Sequence, residues 1–288
     1  MRNSCQRSYR GIDAAIPATC TESGLTDGKH CSACDDVLVK QEEIPALKHN
    51  YVDGICNGCG RDEYSKGLQY ALNDDEESYS VTVIGSCTDT DIIIPAYYNE
   101  KPVTGIGAQA FDRCVGLTSI TIPDSVTSIG DRAFSDCTGL TSITIPNGVT
   151  SIGQGAFRGC TGLTSITIPF VGAEKNGAGN THFGYIFAVW YDNESANYVP
   201  NSLKTVVITV GSDIDSFAFS GLTSITIPES VTYIGDFAFY DCTGLTSITF
   251  KGTKEQWTLI SKGTLWDFNT GNYVIHCTDG DIEKSFRM

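Results

Sequence analysis

One unit recurs along this chain. Leu117-Thr118-Ser119-Ile120-Thr121-Ile122-Pro123 returns as Leu140-Thr141-Ser142-Ile143-Thr144-Ile145-Pro146 and as Leu163-Thr164-Ser165-Ile166-Thr167-Ile168-Pro169, at a spacing of 23 residues. A second pattern, Val-x-x-Ile-Gly-x-x-Ala-Phe-x-x-Cys, follows as Val126, Ile129, Gly130, Ala133, Phe134, Cys137 and again as Val149, Ile152, Gly153, Ala156, Phe157, Cys160. Looser copies begin at Leu203, Leu222 and Leu245, the first followed by a shortened turn that lacks the cysteine. A unit this short cannot bury an apolar face alone, so fixed-period repetition predicts stacked rungs with one continuous core.

Leu-x-x-Ile-x-Ile turns three apolar residues inward and leaves the x residues outside, the alternation of a short strand. Stacking joins the strands into a parallel sheet, and proline ends each strand because it has no N–H to donate. The glycine after Ile129, Ile152 and Ile234 reads as a turn that needs backbone freedom. Phe111, Phe134, Phe157, Phe219 and Phe239 are expected to stack on the convex side of the core, each contributing roughly 1.5–3 kcal/mol by burial. Cys114, Cys137, Cys160 and Cys242 fall at one repeat position, which reads as buried structural thiols, with disulfides between neighbouring rungs as the alternative.

The unit Cys-x-x-Leu-x-Ser-Ile-x-Ile-Pro-x-x-Val-x-x-Ile-Gly-x-x-Ala-Phe resembles the BspA-type leucine-rich repeats of bacterial, and some protozoan, surface proteins. The resemblance spans roughly residues 79–250. It implies a leucine-rich-repeat solenoid, a curved parallel sheet of short strands with an irregular or β convex side. It also implies cell-surface or secreted placement and adhesion, through binding of a host or bacterial surface protein or glycan, without catalysis.

The domain reading is a cysteine-rich module over 1–63, a linker and N-terminal capping repeat over 64–105, repeats over 106–250 with an insertion at 170–202, and a C-terminal cap over 251–288. Within the first cap, 79–105 reads as a degenerate repeat shielding the core edge. In the last, Gln256-Trp257 begins a short helix and 273–277 a closing strand, where His276 and Cys277 lack further metal ligands. The insertion is rich in aromatics, including His182, Phe183, Tyr185, Phe187, Trp190, Tyr191 and Tyr198. Either it presents Tyr185, Trp190 and Tyr191 to a ligand, or its rings fold back onto the solenoid. The strand x positions give a second candidate surface, a hydroxyl ladder with Thr121, Thr144, Thr167 and Thr226 at its centre. Threonine is also simply a good solvent-facing strand residue.

The front carries different chemistry. Cys31-Ser32-Ala33-Cys34 and Cys56-Asn57-Gly58-Cys59 are two C-x-x-C pairs separated by 21 residues, the spacing of a four-cysteine, zinc-ribbon-like site. A module of about 60 residues with few large apolar side chains needs such a staple. Cys20, His30 and His49 are alternative ligands, and in an oxidising compartment the same thiols form disulfides instead. The module also looks like cysteine-rich segments that precede such repeats in gut bacterial surface proteins. The βαβ context of a redox C-x-x-C is missing.

Net charge is −15, with acidic residues spread along the chain, which disfavours nucleic acid and anionic membrane surfaces. No apolar run reaches the length that spans a bilayer, so membrane insertion is not expected. Met1-Arg2-Asn3-Ser4-Cys5 lacks the apolar core of a signal peptide, and Ala15-Ile16-Pro17-Ala18-Thr19-Cys20 reads like the middle of a module, which points to sequence upstream. No nucleophile, carboxylate pair or phosphate loop stands out from the repeats, so the expectation is no enzyme. A binding protein is the leading reading, and a spacer that displays another segment is the competing one.

Overall fold

A computed structural model describes residues 10–18, 23–31, 37–45, 51–52, 55–56, 63–175, 182–187, 199–211, 213–214, 219 and 221–284. The chain divides into two compact units, Met1–Tyr64 and Ser65–Met288. In the first, strands Arg10–Asp13, Gly28–Cys31 and Val37–Val39 form an antiparallel sheet with Gly28–Cys31 in the centre. Gly24–Leu25 pairs with Glu43–Ile44, and Tyr51–Val52 with Ile55–Cys56. The Gln41 amide ties two of its loops, donating to the carbonyls of Ala14 at 3.2 Å and Thr26 at 3.1 Å.

The second unit is a solenoid. Each rung gives one strand to a sheet built from the Leu-x-Ser-Ile-x-Ile segments: Ser142–Thr144, Ser165–Ile168, Thr205–Ile208, Ser224–Ile227, Ser247–Phe250 and Val274–Cys277 pair in parallel in that order. Ser119–Thr121 pairs with Asp91–Ile93 in a separate parallel ladder. The return half of each rung adds a shorter strand. Tyr79–Val83, Lys101–Ile106, Ser128–Ile129 and Ser151–Ile152 form one set, and Asp213–Ile214, Tyr233–Ile234 and Ser261–Lys262 another. The isoleucines, leucines and core phenylalanines are buried in one cluster, the outcome of the inward alternation.

Both ends of the solenoid close with an antiparallel strand. Gln69–Leu72 covers Tyr79–Val83 at the front edge of the return strands, and Gly280–Glu283 folds back on Val274–Cys277 at the back edge of the strand sheet, so each of these two edges ends on an antiparallel strand. The helix of the C-terminal cap is Lys254–Leu259 and starts two residues before Gln256. Thr253 fixes that start through a capping box: its hydroxyl accepts from Gln256 N–H at 3.2 Å, and its own N–H donates to the Gln256 side chain at 2.7 Å. Trp257 on this helix is buried against Phe250, with ring centres 5.3 Å apart. No helix among the described residues is long and apolar enough to cross a membrane.

The repeat glycines have a different cause from the one the sequence suggests. Gly130 and Gly153 do not adopt positive φ. A Cβ on Gly153 would lie 2.3 Å from Asp131 N and 2.4 Å from Gly130 C, so glycine is required by the close approach of neighbouring rungs. The left-handed positions come two residues later, at Arg132 (φ 53°) and Gly155 (φ 62°), and again at Asp136 and Gly159.

The phenylalanine stack forms, with an unexpected middle. Phe111, Phe134 and Phe157 lie parallel at 5.4 and 5.5 Å. The next ring is Phe187, 6.3 Å from Phe157, then Phe183, which touches Phe219 at 4.8 Å before Phe239 and Trp266 continue the column. Both intervening rings come from the insertion, whose segment Phe183–Phe187 is a short 3-10 helix. Phe157 N–H donates to Ile186 O at 2.8 Å, as Phe134 N–H does to Ala156 O at 2.8 Å, so Ile186-Phe187 stands in for the Ala-Phe of a regular rung.

Candidate functional site

The outward face of the strand sheet is the candidate site, and the parallel register defines it. Ser142, Ser165, Thr205, Ser224 and Ser247 form one column; Thr144, Thr167, Val207, Thr226, Thr249 and His276 form the column beside it. The alternating isoleucines are buried beneath. Thr144, Thr167 and Thr226 therefore share one sheet. Thr121 is exposed but stands in the separate ladder, opposite Ile93.

The rungs carry two kinds of threonine. At the first x position the hydroxyl is committed to the fold: Thr118 donates to Thr90 O at 2.8 Å, Thr164 to Thr141 O at 3.0 Å, Thr223 to Lys204 O and Thr246 to Thr223 O at 3.2 Å each. These bonds stitch rung to rung. The hydroxyls of Thr121, Thr144, Thr167 and Thr226 make no hydrogen bond among the described residues and face outward as donors and acceptors.

One rung departs from the pattern, and a hollow opens there. Val207 replaces the column threonine and Thr209 replaces the strand-ending proline. Val207, Thr209, Thr226, Pro228, Glu229 and Lys251 line a surface hollow of 280 Å³. Its floor is apolar, hydroxyls stand at its side, and a carboxylate and an ammonium flank it. Thr209 is held by hydrogen bonds to Asn147 Oδ1 at 2.5 Å and to Ile168 O at 3.3 Å, which fixes that wall. The volume is just under the roughly 300–1,000 Å³ of small-molecule sites, a fit for one side chain or one sugar ring of a larger ligand. The sequence marks this rung only as a looser copy beginning at Leu203 and not as a site, although Val207-Ile208-Thr209 in place of Thr-Ile-Pro was a visible signal.

The insertion behaves differently from a presented loop over its described part. Phe183 and Phe187 are fully buried. Tyr185 is half-buried on the return side, where its carbonyl accepts from Gly155 N–H at 3.0 Å and its ring meets His182 edge-on. Burial, with the Asp131 and Glu174 charges behind it, pushes the Tyr185 hydroxyl up from its usual range. Tyr185 and the column threonines thus lie on different sides of the rung. Trp190 and Tyr191 fall outside the described residues.

Cys137 and Cys160 are buried free thiols, each donating to the phenylalanine carbonyl of the preceding rung, Phe111 O and Phe134 O, at 3.1 Å; Cys242 reaches Phe219 O at 3.7 Å. Desolvation pushes the thiol of Cys160 up to about 12 and that of Cys242 to about 11, so both stay protonated and unreactive near neutrality. In the front unit Cys31 ends the strand Gly28–Cys31 and Cys56 ends Ile55–Cys56. Cys34 and Cys59 fall outside the described residues. Elsewhere, no group of three or more His, Cys, Asp or Glu among the described residues is placed to hold a metal ion.

The family description "BspA type leucine rich repeat region" matches in six copies over residues 86–176 and 200–280. Among solved structures, a leucine-rich repeat protein of T. pallidum is 26% identical, with 69% of this chain and 80% of that one covered at a TM-score of 0.38. One from Bacteroides capillosus is also 26% identical, covering 50% of this chain and 94% of that one at 0.37. A leucine-rich cell surface protein from Faecalibacterium prausnitzii is 18% identical, covering 68% and 96% at 0.24. No curated protein matches.

Proposed function

The chain belongs to the BspA-type leucine-rich repeat family, and from that premise we propose that it is a secreted or cell-surface binding protein, an adhesin whose ligand is a host or bacterial surface protein or glycan. The ligand docks on the outward sheet face with the Val207–Thr226–Lys251 hollow as its anchor. The observation that carries this reading is the division of labour among the threonines: one set binds the rungs together through its hydroxyls, while the hydroxyls of Thr144, Thr167 and Thr226 make no hydrogen bond among the described residues. A rigid sheet with regularly spaced free hydroxyls suits an extended ligand, and the hollow supplies the one place where a group can insert.

Immobilised protein screened against a glycan array and an array of extracellular proteins tests the proposal. A ligand found on either should lose at least about tenfold in affinity with Val207→Asp or with Thr167→Asp and Thr226→Asp together, since each puts an unpaired charge under the contact. The Trp190→Ala/Tyr191→Ala double variant should bind normally. Loss with that variant and no loss with the face variants would move the site to the insertion. No ligand on either array would leave the chain as a display spacer.

For the front unit the proposal is a structural zinc held by Cys31, Cys34, Cys56 and Cys59. The pair spacing supports it, and Cys31 and Cys56 each end a strand. Protein purified without chelator should carry about one zinc per chain. Metal absent together with missing free thiols would instead mean disulfides.

A further inference from the structure

We propose that the return turns of the last two repeats form a docking surface for a cationic amphipathic segment of a partner protein. Backbone hydrogen bonds fix which turn residues are equivalent. Arg132 N–H donates to Gln154 O as Phe237 N–H does to Thr264 O, and Asp136 N–H donates to Arg158 O as Asp241 N–H does to Phe268 O. Phe237 therefore stands where Arg132 does, and Tyr240 and Phe268 stand where Arg158 does.

The substitution changes the surface in two ways. The early turns carry Asp112, Asp131 and Asp136 balanced by Arg113, Arg132 and Arg158. The last two keep carboxylates, Asp236, Asp241 and Asp267, and lose every arginine. In place of the arginines are rings: Tyr240 and Phe268 stack at 5.9 Å, 42% and 49% exposed, and Leu265 beside them is 43% exposed. Phe237 (φ 53°) and Leu265 (φ 49°) also sit in the left-handed turn position that Gly155 (φ 62°) fills in the third repeat, a conformation bulky side chains disfavour. Exposed apolar side chains beside carboxylates that no arginine accompanies mark an interaction surface.

The charge pattern selects the occupant. A segment with apolar residues on one side and lysine or arginine on the other covers the rings and meets the three carboxylates, and the chain's net charge of −15 steers it in. This surface lies on the return side of the rungs and is independent of the sheet face.

The test uses the full chain and a fluorescent amphipathic peptide of lysine and leucine, about 14 residues long, with a same-composition peptide whose order removes the apolar face. Anisotropy at low salt should show the amphipathic peptide binding at least about tenfold more tightly than its scramble. Tyr240→Ser/Phe268→Ser should erase that preference; serine is what the second repeat has there as Ser135. Asp236→Asn/Asp241→Asn, which keeps the carbonyl acceptors, should weaken binding and its salt dependence. Circular dichroism verifies that both variants are folded. Equal binding of the two peptides, or wild-type binding by the serine variant, overturns the proposal. So does a wild-type dimer that the serine variant abolishes, since the occupant is then a second copy.

Discussion

Replacing Phe134 by alanine is expected to destabilise the solenoid by about 3–5 kcal/mol, the range for removing a buried aromatic ring that neighbours cannot replace. Phe134 is fully buried between Phe111 and Phe157, nearly parallel to both. Rung spacing is set by backbone hydrogen bonds, Phe111 N–H to Ala133 O and Phe134 N–H to Ala156 O at 2.8 Å each, so the flanking rings cannot close the gap without breaking the ladder. Urea unfolding of the variant should show a lower midpoint. A change under about 1 kcal/mol would mean that the stack is not well packed at its centre.

The second large effect concerns the insertion. Phe183→Ala with Phe187→Ala should cost several kcal/mol and should also split unfolding into two steps. In a repeat protein, stability is close to a sum of rung and interface terms, and coupling passes only between neighbours. Phe187 and Phe183 are the rings that link Phe157 to Phe219. The short return strands are also interrupted here: the set ending at Ser151–Ile152 and the set starting at Asp213–Ile214 do not pair with each other, and a lone antiparallel bridge to Glu174 follows the first. The strand sheet still runs through, by the pairing of Ser165–Ile168 with Thr205–Ile208, so the blocks on either side remain connected but lose cooperativity. One transition for the double variant, at the wild-type slope against urea, would show that the sheet alone couples them.

The rungs were legible because a 23-residue period imposes the same inward positions on every copy. The strand positions, the buried thiols of Cys137, Cys160 and Cys242 and the ring column all follow from it, whereas Cys114, expected to be buried with them, is half-buried on the first rung. Three things were not. Gly130 and Gly153 were read as torsional glycines, but sequence does not separate a left-handed residue from one that must admit a neighbouring rung. The two classes of threonine look alike in Leu-Thr-Ser-Ile-Thr, and only the register shows which hydroxyl reaches the preceding carbonyl. The insertion offered both outcomes because its aromatics suit either contact or core. The trace of a rung was there, since Gly184-Tyr185-Ile186-Phe187 is Gly-x-x-Ala-Phe shortened by one residue with isoleucine for alanine.

That trace bears on the assignment of the binding surface, because Phe183 and Phe187, the described phenylalanines of the insertion, belong to the core and not to a presented loop. Native-state hydrogen exchange tests it most directly, at the amides of Gly155 and Phe157, which donate to Tyr185 O at 3.0 Å and Ile186 O at 2.8 Å. The expected result is protection within about tenfold of the Phe134 amide, the mark of a rung that opens only with the core. Exchange at the rate of an unprotected loop would contradict it, placing the insertion off the solenoid with its aromatics free to meet a ligand.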